Sequence, residues 1–178
     1  VAELINNKII QRVHPALIKN DSYIAKINGV LNAVIAESKP VGQSVLQGEG
    51  AGPGPTTSSL ISDLCSVLRG NIKFPFVISN QKRKSARFES TKNKKFTVYL
   101  RLDVKDKHGI LSDIAKIMAK NKVSIKRLIQ NPTENKKNAS IIIITHFAKG
   151  SSLSKVESAL KKKSYIVSKP KLIRIEDI

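Results

Sequence analysis

Phe96-Thr97-Val98-Tyr99-Leu100-Arg101-Leu102-Asp103-Val104 alternates apolar and polar side chains, and Asp106-Lys107-His108-Gly109 follows almost at once. A period of two gathers one set of side chains on one face of an extended strand. Gly109 permits a tight turn. Beyond it Ile110, Leu111, Ile114, Ile117 and Met118 recur at helical spacing, ending near Lys120-Asn121-Lys122. Val123 to Ile129 predicts a second strand, closed by Asn131-Pro132. Ala139 to Phe147 is apolar on consecutive positions, as expected of a strand at the centre of a sheet. Leu153, Val156 and Leu160 mark a second helix, and Ile166-Val167 with Leu172 to Ile175 predict one last strand around Pro170. The order βαββαβ defines a ferredoxin-like sandwich, two helices on one face of an antiparallel sheet.

Upstream, residues 73–95 change character: Asn80-Gln81-Lys82-Arg83-Lys84-Ser85-Ala86-Arg87 and Lys92-Asn93-Lys94-Lys95 are polar and basic. They read as a linker between a first module, 1–72, and the βαββαβ module, 96–178. The whole chain is therefore α+β, a partial mixed α/β segment followed by the sandwich. In the first module, residues 1–7 read as the end of a helix. Ile9 to Ile18 reads as an edge strand interrupted by Pro15. Gly29 to Ala36 and Val41 to Gln47 are two more strands joined through Lys39-Pro40. They deliver Gly48-Glu49-Gly50-Ala51-Gly52-Pro53-Gly54-Pro55, glycines at every second position opening onto a helix over 56–69. Pro55 suits a first helical turn, and Thr56 or Thr57 can cap it. Leu60, Ile61, Leu64, Val67 and Leu68 give that helix one buried face. A glycine loop emptying into a helix N-terminus suits an anion or a cofactor, or else a ligand-free strand-to-helix connection. Cys65 in this pattern reads as a buried, inert thiol, and Asp63 as solvated. Asn32 either satisfies backbone groups or faces a ligand. His14, with no second histidine or cysteine nearby, reads as structural.

The chain of 178 residues carries 32 basic and 13 acidic side chains, a net charge of +19. Residues 1–70 are nearly neutral at +1, and the excess falls on 71–95 (+7) and 96–178 (+11). Of the basic residues 25 are lysine, spread over helix faces and loops, which reads as a solvated surface. Nucleic-acid binding by a βαββαβ module requires aromatic platforms on the central strands. The central strand here offers isoleucines and only a terminal Phe147, which disfavours that reading. No apolar run reaches the ~20 residues of a membrane helix. Val1-Ala2-Glu3-Leu4 has no signal-peptide pattern, and the missing initiator Met reads as a fragment or a processed chain. A single cysteine suits a reducing cytosol, so a cytoplasmic location is expected. No clustered ligand set suggests a metal site.

Arg12-Val13-His14-Pro15, Asn28-Gly29-Val30-Leu31-Asn32-Ala33-Val34, and Gly48-Glu49-Gly50-Ala51-Gly52 with Pro55-Thr56 and Asp63 together resemble the end of the catalytic region of homoserine dehydrogenase. Asp106-Lys107-His108-Gly109-Ile110-Leu111 resembles the aspartate–x–x–glycine turn of ACT domains, with His108 where that family usually has proline. The ordered pair covers nearly the whole chain. The resemblance implies NAD- or NADP-dependent interconversion of L-homoserine and L-aspartate 4-semialdehyde, in threonine and methionine biosynthesis. It implies that Gly52, with Gly50 and Ala51 beside it, lies against the nicotinamide nucleotide. It places the catalytic lysine and the substrate-holding acids upstream of Val1, so no catalytic residue is assigned. It also implies that the ACT module senses an amino acid, typically L-threonine, through Asp106, His108, Gly109, Ile110 and Leu111. Such modules commonly pair into homo-oligomers, with Val123 to Ile129 expected at the seam. A stand-alone amino-acid sensor is the alternative.

Overall fold

Asn6 and Asn7 both sit at positive φ, 50° and 59°, and fold β1 (Ala2–Ile5) back onto β2 (Lys8–Gln11). Two consecutive left-handed residues are the signature of a tight hairpin turn, and asparagine tolerates that conformation. The expected helix end at residues 1–7 is therefore a strand. The computed structural model describes residues 1–71, 78–83, 85–132 and 137–177. The stretch 73–95, read as a linker, thus lies partly outside the described residues.

The chain forms two compact units, one of Val1–Ile18 with Ala86–Asp177 and one of Lys19–Ser85. The first unit carries β1, β2, β3 (Ala16–Leu17), β6 (Arg87–Phe88), β7 (Lys95–Lys105), α2 (Ile110–Lys120), β8 (Ile125–Pro132), β9 (Asn138–Thr145), β10 (Ala148–Lys149), α3 (Gly150–Lys161) and β11 (Lys171–Ile175). The second carries β4 (Leu31–Ser38), β5 (Gly42–Glu49) and α1 (Pro53–Leu68).

In the first unit the principal sheet has the order β3-β11-β7-β9-β8, with β10 on β7. Pairing is antiparallel except between β11 and β3. The inward set predicted for β7, Phe96, Val98, Leu100, Leu102 and Val104, is buried. It meets Ile141 and Ile143 of β9, Ile110, Ile114 and Met118 of α2, and Leu153, Val156 and Leu160 of α3 in one core. β9 lies between β7 and β8, so its second face, Ile142 and Ile144, is half-buried. The last strand does not run through Pro170; Ile166 makes only an isolated bridge to Val104. β1, β2 and β6 form a separate small sheet. Residues 91–94 fold against the start of α3, where the Gly150 and Ser151 N–H groups donate to the Lys94 and Lys92 carbonyls at 2.9 and 3.0 Å. A Cβ on Gly150 would stand 2.8 Å from the Thr91 carbonyl oxygen, so only glycine fits this junction.

In the second unit β4 and β5 pair over their full length around Lys39-Pro40. α1 begins earlier than the spacing suggests, at Pro53, with Gly52 at the N-cap. The Thr56 N–H donates to the Gly52 carbonyl at 3.2 Å, so neither Thr56 nor Thr57 is the cap. α1 has no buried residue: Leu60, Ile61, Leu64, Val67 and Leu68 are more than half exposed, and Cys65 is half-buried rather than buried. A two-stranded sheet supplies too little apolar surface to cover a helix face. Among the described residues no helix is long and apolar enough to cross a membrane, and no group of side chains could hold a metal ion.

Candidate functional site

The turn between β7 and α2 opens a depression of about 660 Å³. Its lining includes Asp106, His108, Gly109, Ile110 and Leu111, all five of the residues singled out from the sequence, together with Lys105, Lys107 and Gln130. Gly109 takes φ +84° and ψ −15° as the N-cap of α2. A left-handed cap is strained for any residue with a Cβ. Having no side chain, Gly109 cannot cap the first turn, so the N–H groups at the start of α2 lack both an intrahelical carbonyl and an N-cap side chain. Such groups attract a carboxylate, aided by the helix dipole. Asp106 is exposed, and its own N–H is held at 2.9 Å by the Lys137 carbonyl. Val104 and Ile141 form a buried apolar floor. The arrangement offers a cationic end, an acidic side chain and an apolar base within one depression. Gln130 had no sequence signal; the register of β8 against β9 places it opposite Ile141.

The glycine loop separates into two roles. A Cβ on Gly50 would fall 1.8 Å from Asn32 Nδ2 and 2.7 Å from its Cγ. Gly50 therefore leaves room for the Asn32 amide, which also donates weakly to the Val30 carbonyl at 3.4 Å. Gly52 is different: φ is +116° and ψ 158°, a region essentially reserved for glycine. A Cβ there would meet only Pro55 Cδ at 3.6 Å, so the space beside it is open. Ala51 lies between them and is exposed. The backbone at Ala51-Gly52 is open ahead of the α1 N-terminus and leaves room for a nucleotide cofactor, while at Gly50 the Asn32 amide fills the place of a Cβ.

The sequence reading missed a cluster in the first unit. Arg12 grips Glu176 with two hydrogen bonds, Nε to Oε1 at 3.1 Å and Nη2 to Oε2 at 2.8 Å. Its third nitrogen, Nη1, donates to Glu3 at 2.7 Å, and Glu3 also pairs with Lys94. His14 Nε2 stands 3.1 Å from Glu176 Oε1, so the neutral ring carries its proton on Nε2. The Arg12 and Arg174 guanidiniums lie over the Phe96 ring at 5.6 and 4.2 Å. Burial alone raises the Glu176 carboxyl, but Arg12 and then His14 outweigh it and hold its pKa below the usual value. Burial, then the charge of Arg174, lowers the His14 imidazole against the pull of Glu176. His14 is structural, as expected, and the cluster is a fastening between the N-terminal strands and the end of the chain.

Residues 98–164, which carry the fold and its open first turn, match the model of the ACT domain. Residues 1–65 match the model of homoserine dehydrogenase. The two together make the chain a relative of the homoserine dehydrogenases, an oxidoreductase family. It is 30% identical over 166 residues to homoserine dehydrogenase of Helicobacter pylori, spanning 93% of this chain and 39% of that protein. It is 32% identical over 142 residues to the Pseudomonas aeruginosa enzyme, spanning 76% and 33%. The crystal structure of a homoserine dehydrogenase from Thiobacillus denitrificans superimposes with a TM-score of 0.83 at 28% identity, over 99% of this chain and 41% of that one. The chain thus spans about two fifths of the curated relative from Helicobacter pylori.

Proposed function

We propose that this chain supplies the cofactor-facing loop and the amino-acid-sensing module of a homoserine dehydrogenase. That enzyme interconverts L-homoserine and L-aspartate 4-semialdehyde with NAD or NADP, and bound NAD(P) supplies the hydride acceptor and donor. Ala51 and Gly52 carry the cofactor contact in this reading, with Gly50 and Asn32 holding the shape of the loop. Hydride transfer also requires acid–base groups against the substrate. The resemblance puts those outside this chain, so the 178 residues alone are without dehydrogenase activity. The reading places the enzyme in the cytoplasm, in threonine and methionine biosynthesis.

The observation that carries the regulatory half is the gathering of Asp106, His108, Gly109, Ile110 and Leu111 around one depression at an uncapped helix start. An α-carboxylate meets the first-turn N–H groups, and Asp106 meets the α-amino group. L-Threonine is the effector that the family favours. β8 is an edge of the principal sheet, so a second copy can extend it, bringing two depressions to the seam. Effector binding then shifts the balance between assembly states of different affinity. Calorimetric titration of the chain with L-threonine, L-methionine, L-lysine and L-isoleucine tests this. Saturable heat from one of them, abolished by Gly109→Val, supports it. The absence of heat from all four, with a monomeric mass in solution, removes it.

A further inference from the structure

β11 closes the βαββαβ order, and without β3 it would be an outer strand of the principal sheet, as β8 is. Its sequence, Lys171-Leu172-Ile173-Arg174-Ile175, places three branched apolar residues among five. An outer strand of this kind, with a row of unpaired N–H and C=O groups, is a template for another chain. Pro170 and Lys171 guard its first end, since one lacks an N–H and the other carries a charge. β3 covers the other end, where Ala16 pairs with Arg174 and Leu17 with Ile175. β3 is a poor template in its turn. It is two residues long, both exposed, and Pro15 ahead of it has no N–H to offer. Glu176 holds this cover in place with both its main chain and its side chain. Its N–H donates to the Leu17 carbonyl at 2.9 Å. Its carboxylate takes two hydrogen bonds from Arg12 and stands 3.1 Å from His14 Nε2. Arg12, His14 and Leu17 lie within the match to homoserine dehydrogenase, residues 1–65, whereas β11 follows the ACT match over 98–164. The first of these parts thus lends the second a strand at one edge of its sheet, and among the described residues the other edge, β8, stays open.

We propose that Arg12 to Leu17 is a strap that closes the β11 edge, so that the principal sheet meets other copies of this chain through β8 alone. Pairing of β8 with β8 is isologous and ends at two copies. With the strap released, β8 of one copy can pair with β11 of the next, a head-to-tail contact that does not close and continues to larger species. That the open edge pairs at all rests on the seam proposed above; the closing of β11 does not.

The strap is released in the full chain by Arg12→Glu, which sets a carboxylate against Glu176, together with Ala16→Pro, which removes an N–H from β3. Ala16→Pro alone is the milder second variant, used if the double change costs the core. Hydrogen exchange reports release as lost protection at the Glu176 amide, with the Leu100 and Ile143 amides of the core still protected. Sedimentation velocity then compares masses over about a hundredfold range of concentration. The parent is expected to stop at a dimer, and the released variant to grow past it as concentration rises. Adding Ile129→Asp on β8 is expected to stop that growth. A released variant that keeps the mass of the parent overturns the inference, and so does a parent that itself grows past a dimer. Growth indifferent to Ile129→Asp would come from exposed apolar surface rather than from two sheet edges, and overturns it too. A monomeric parent removes the β8 seam only. The released variant must then form dimers through β11, and the inference falls if it stays monomeric.

Discussion

The guanidinium of Arg12 and the carboxylate of Glu176 face each other as two forks, at 3.1 and 2.8 Å, across 164 residues of sequence. Both side chains are almost buried. Close by, β3 pairs in parallel with β11, Ala16 against Arg174 and Leu17 against Ile175. The N-terminal strands are thereby fastened to the last strand of the principal sheet.

Neutralising Glu176 leaves the buried Arg12 guanidinium with Glu3 but without its two-pronged partner, at a cost of about 3 kcal/mol. Glu176→Gln is therefore expected to lower the Tm of the chain by roughly 10 °C. Replacing both partners with apolar residues, Arg12→Met with Glu176→Leu, recovers much of that loss. Thermal unfolding followed by circular dichroism decides it; a change within about 2 °C for Glu176→Gln would mean the pair contributes little.

The cluster also makes stability sensitive to acid. The folded-state pKa of His14 lies below its ordinary 6.5, so the unfolded chain takes up that proton first and stability falls as pH drops below about 6.5. Glu176 is depressed below 4.5, so its contribution is complete above that value and is lost as pH falls through the folded-state pKa. Urea midpoints measured from pH 8 to pH 3 should decline in two stages. His14→Gln is expected to flatten the upper stage, while Glu176→Gln flattens the lower. A midpoint that rises on acidification between pH 7 and pH 5 would contradict the assignment for His14.

Gly50 and Gly52 are expected to respond differently to substitution. Gly50→Ala displaces the Asn32 amide, and a second change, Asn32→Gly, relieves the clash. Gly52→Val forces a branched residue to φ +116°, worth about 1–3 kcal/mol of strain, and fills the open side of the loop. In an intact homoserine dehydrogenase carrying this loop, Gly52→Val should raise the cofactor KM by about tenfold or more, with no rescue at Asn32. Steady-state kinetics of the single and double variants separates the two roles. An unchanged KM for Gly52→Val in a folded enzyme would release the loop from cofactor contact.

In the proposed pairing of two copies through the edge of β8, that strand brings the Lys126 and Arg127 of both copies into the seam. Such an edge pairs against like-charge repulsion. The dimer is expected to tighten as salt rises, because the repulsion is screened. Ile129→Asp, an exposed position of the same strand, should shift the chain to monomer. Sedimentation equilibrium at low and high salt measures both; a dimer indifferent to salt and to this substitution would lie elsewhere.

How much of this was legible in the sequence depends on how local each signal is. The period of two over Phe96–Val104 and the helical spacing of Ile110–Met118 and Leu153–Leu160 each encode an element and its inward face. The core assembles from those faces. That Asp106 to Leu111 line one depression was readable because one short turn contains them. Asn6-Asn7 is a local signal too, a left-handed pair, but strands of four residues on either side are too short to show an alternation. The Arg12–Glu176 pair was not legible, since nothing local announces a partner so far along the chain. The apolar stripe of α1 marked a helix correctly, but periodicity identifies a face without stating what covers it. The Asn32 amide lying over Gly50 was not legible, because a glycine pattern does not reveal which side chain packs on it.

The central claim is an amino-acid effector site at the start of α2, and nuclear magnetic resonance locates it most directly. The backbone amides of the 178-residue chain are followed as L-threonine is added. The account predicts saturable shifts centred on Gly109, Ile110 and Leu111, with Gln130 responding across the depression, and their loss in Asp106→Ala. Saturable shifts confined to other residues, or none at any concentration of L-threonine, would contradict it.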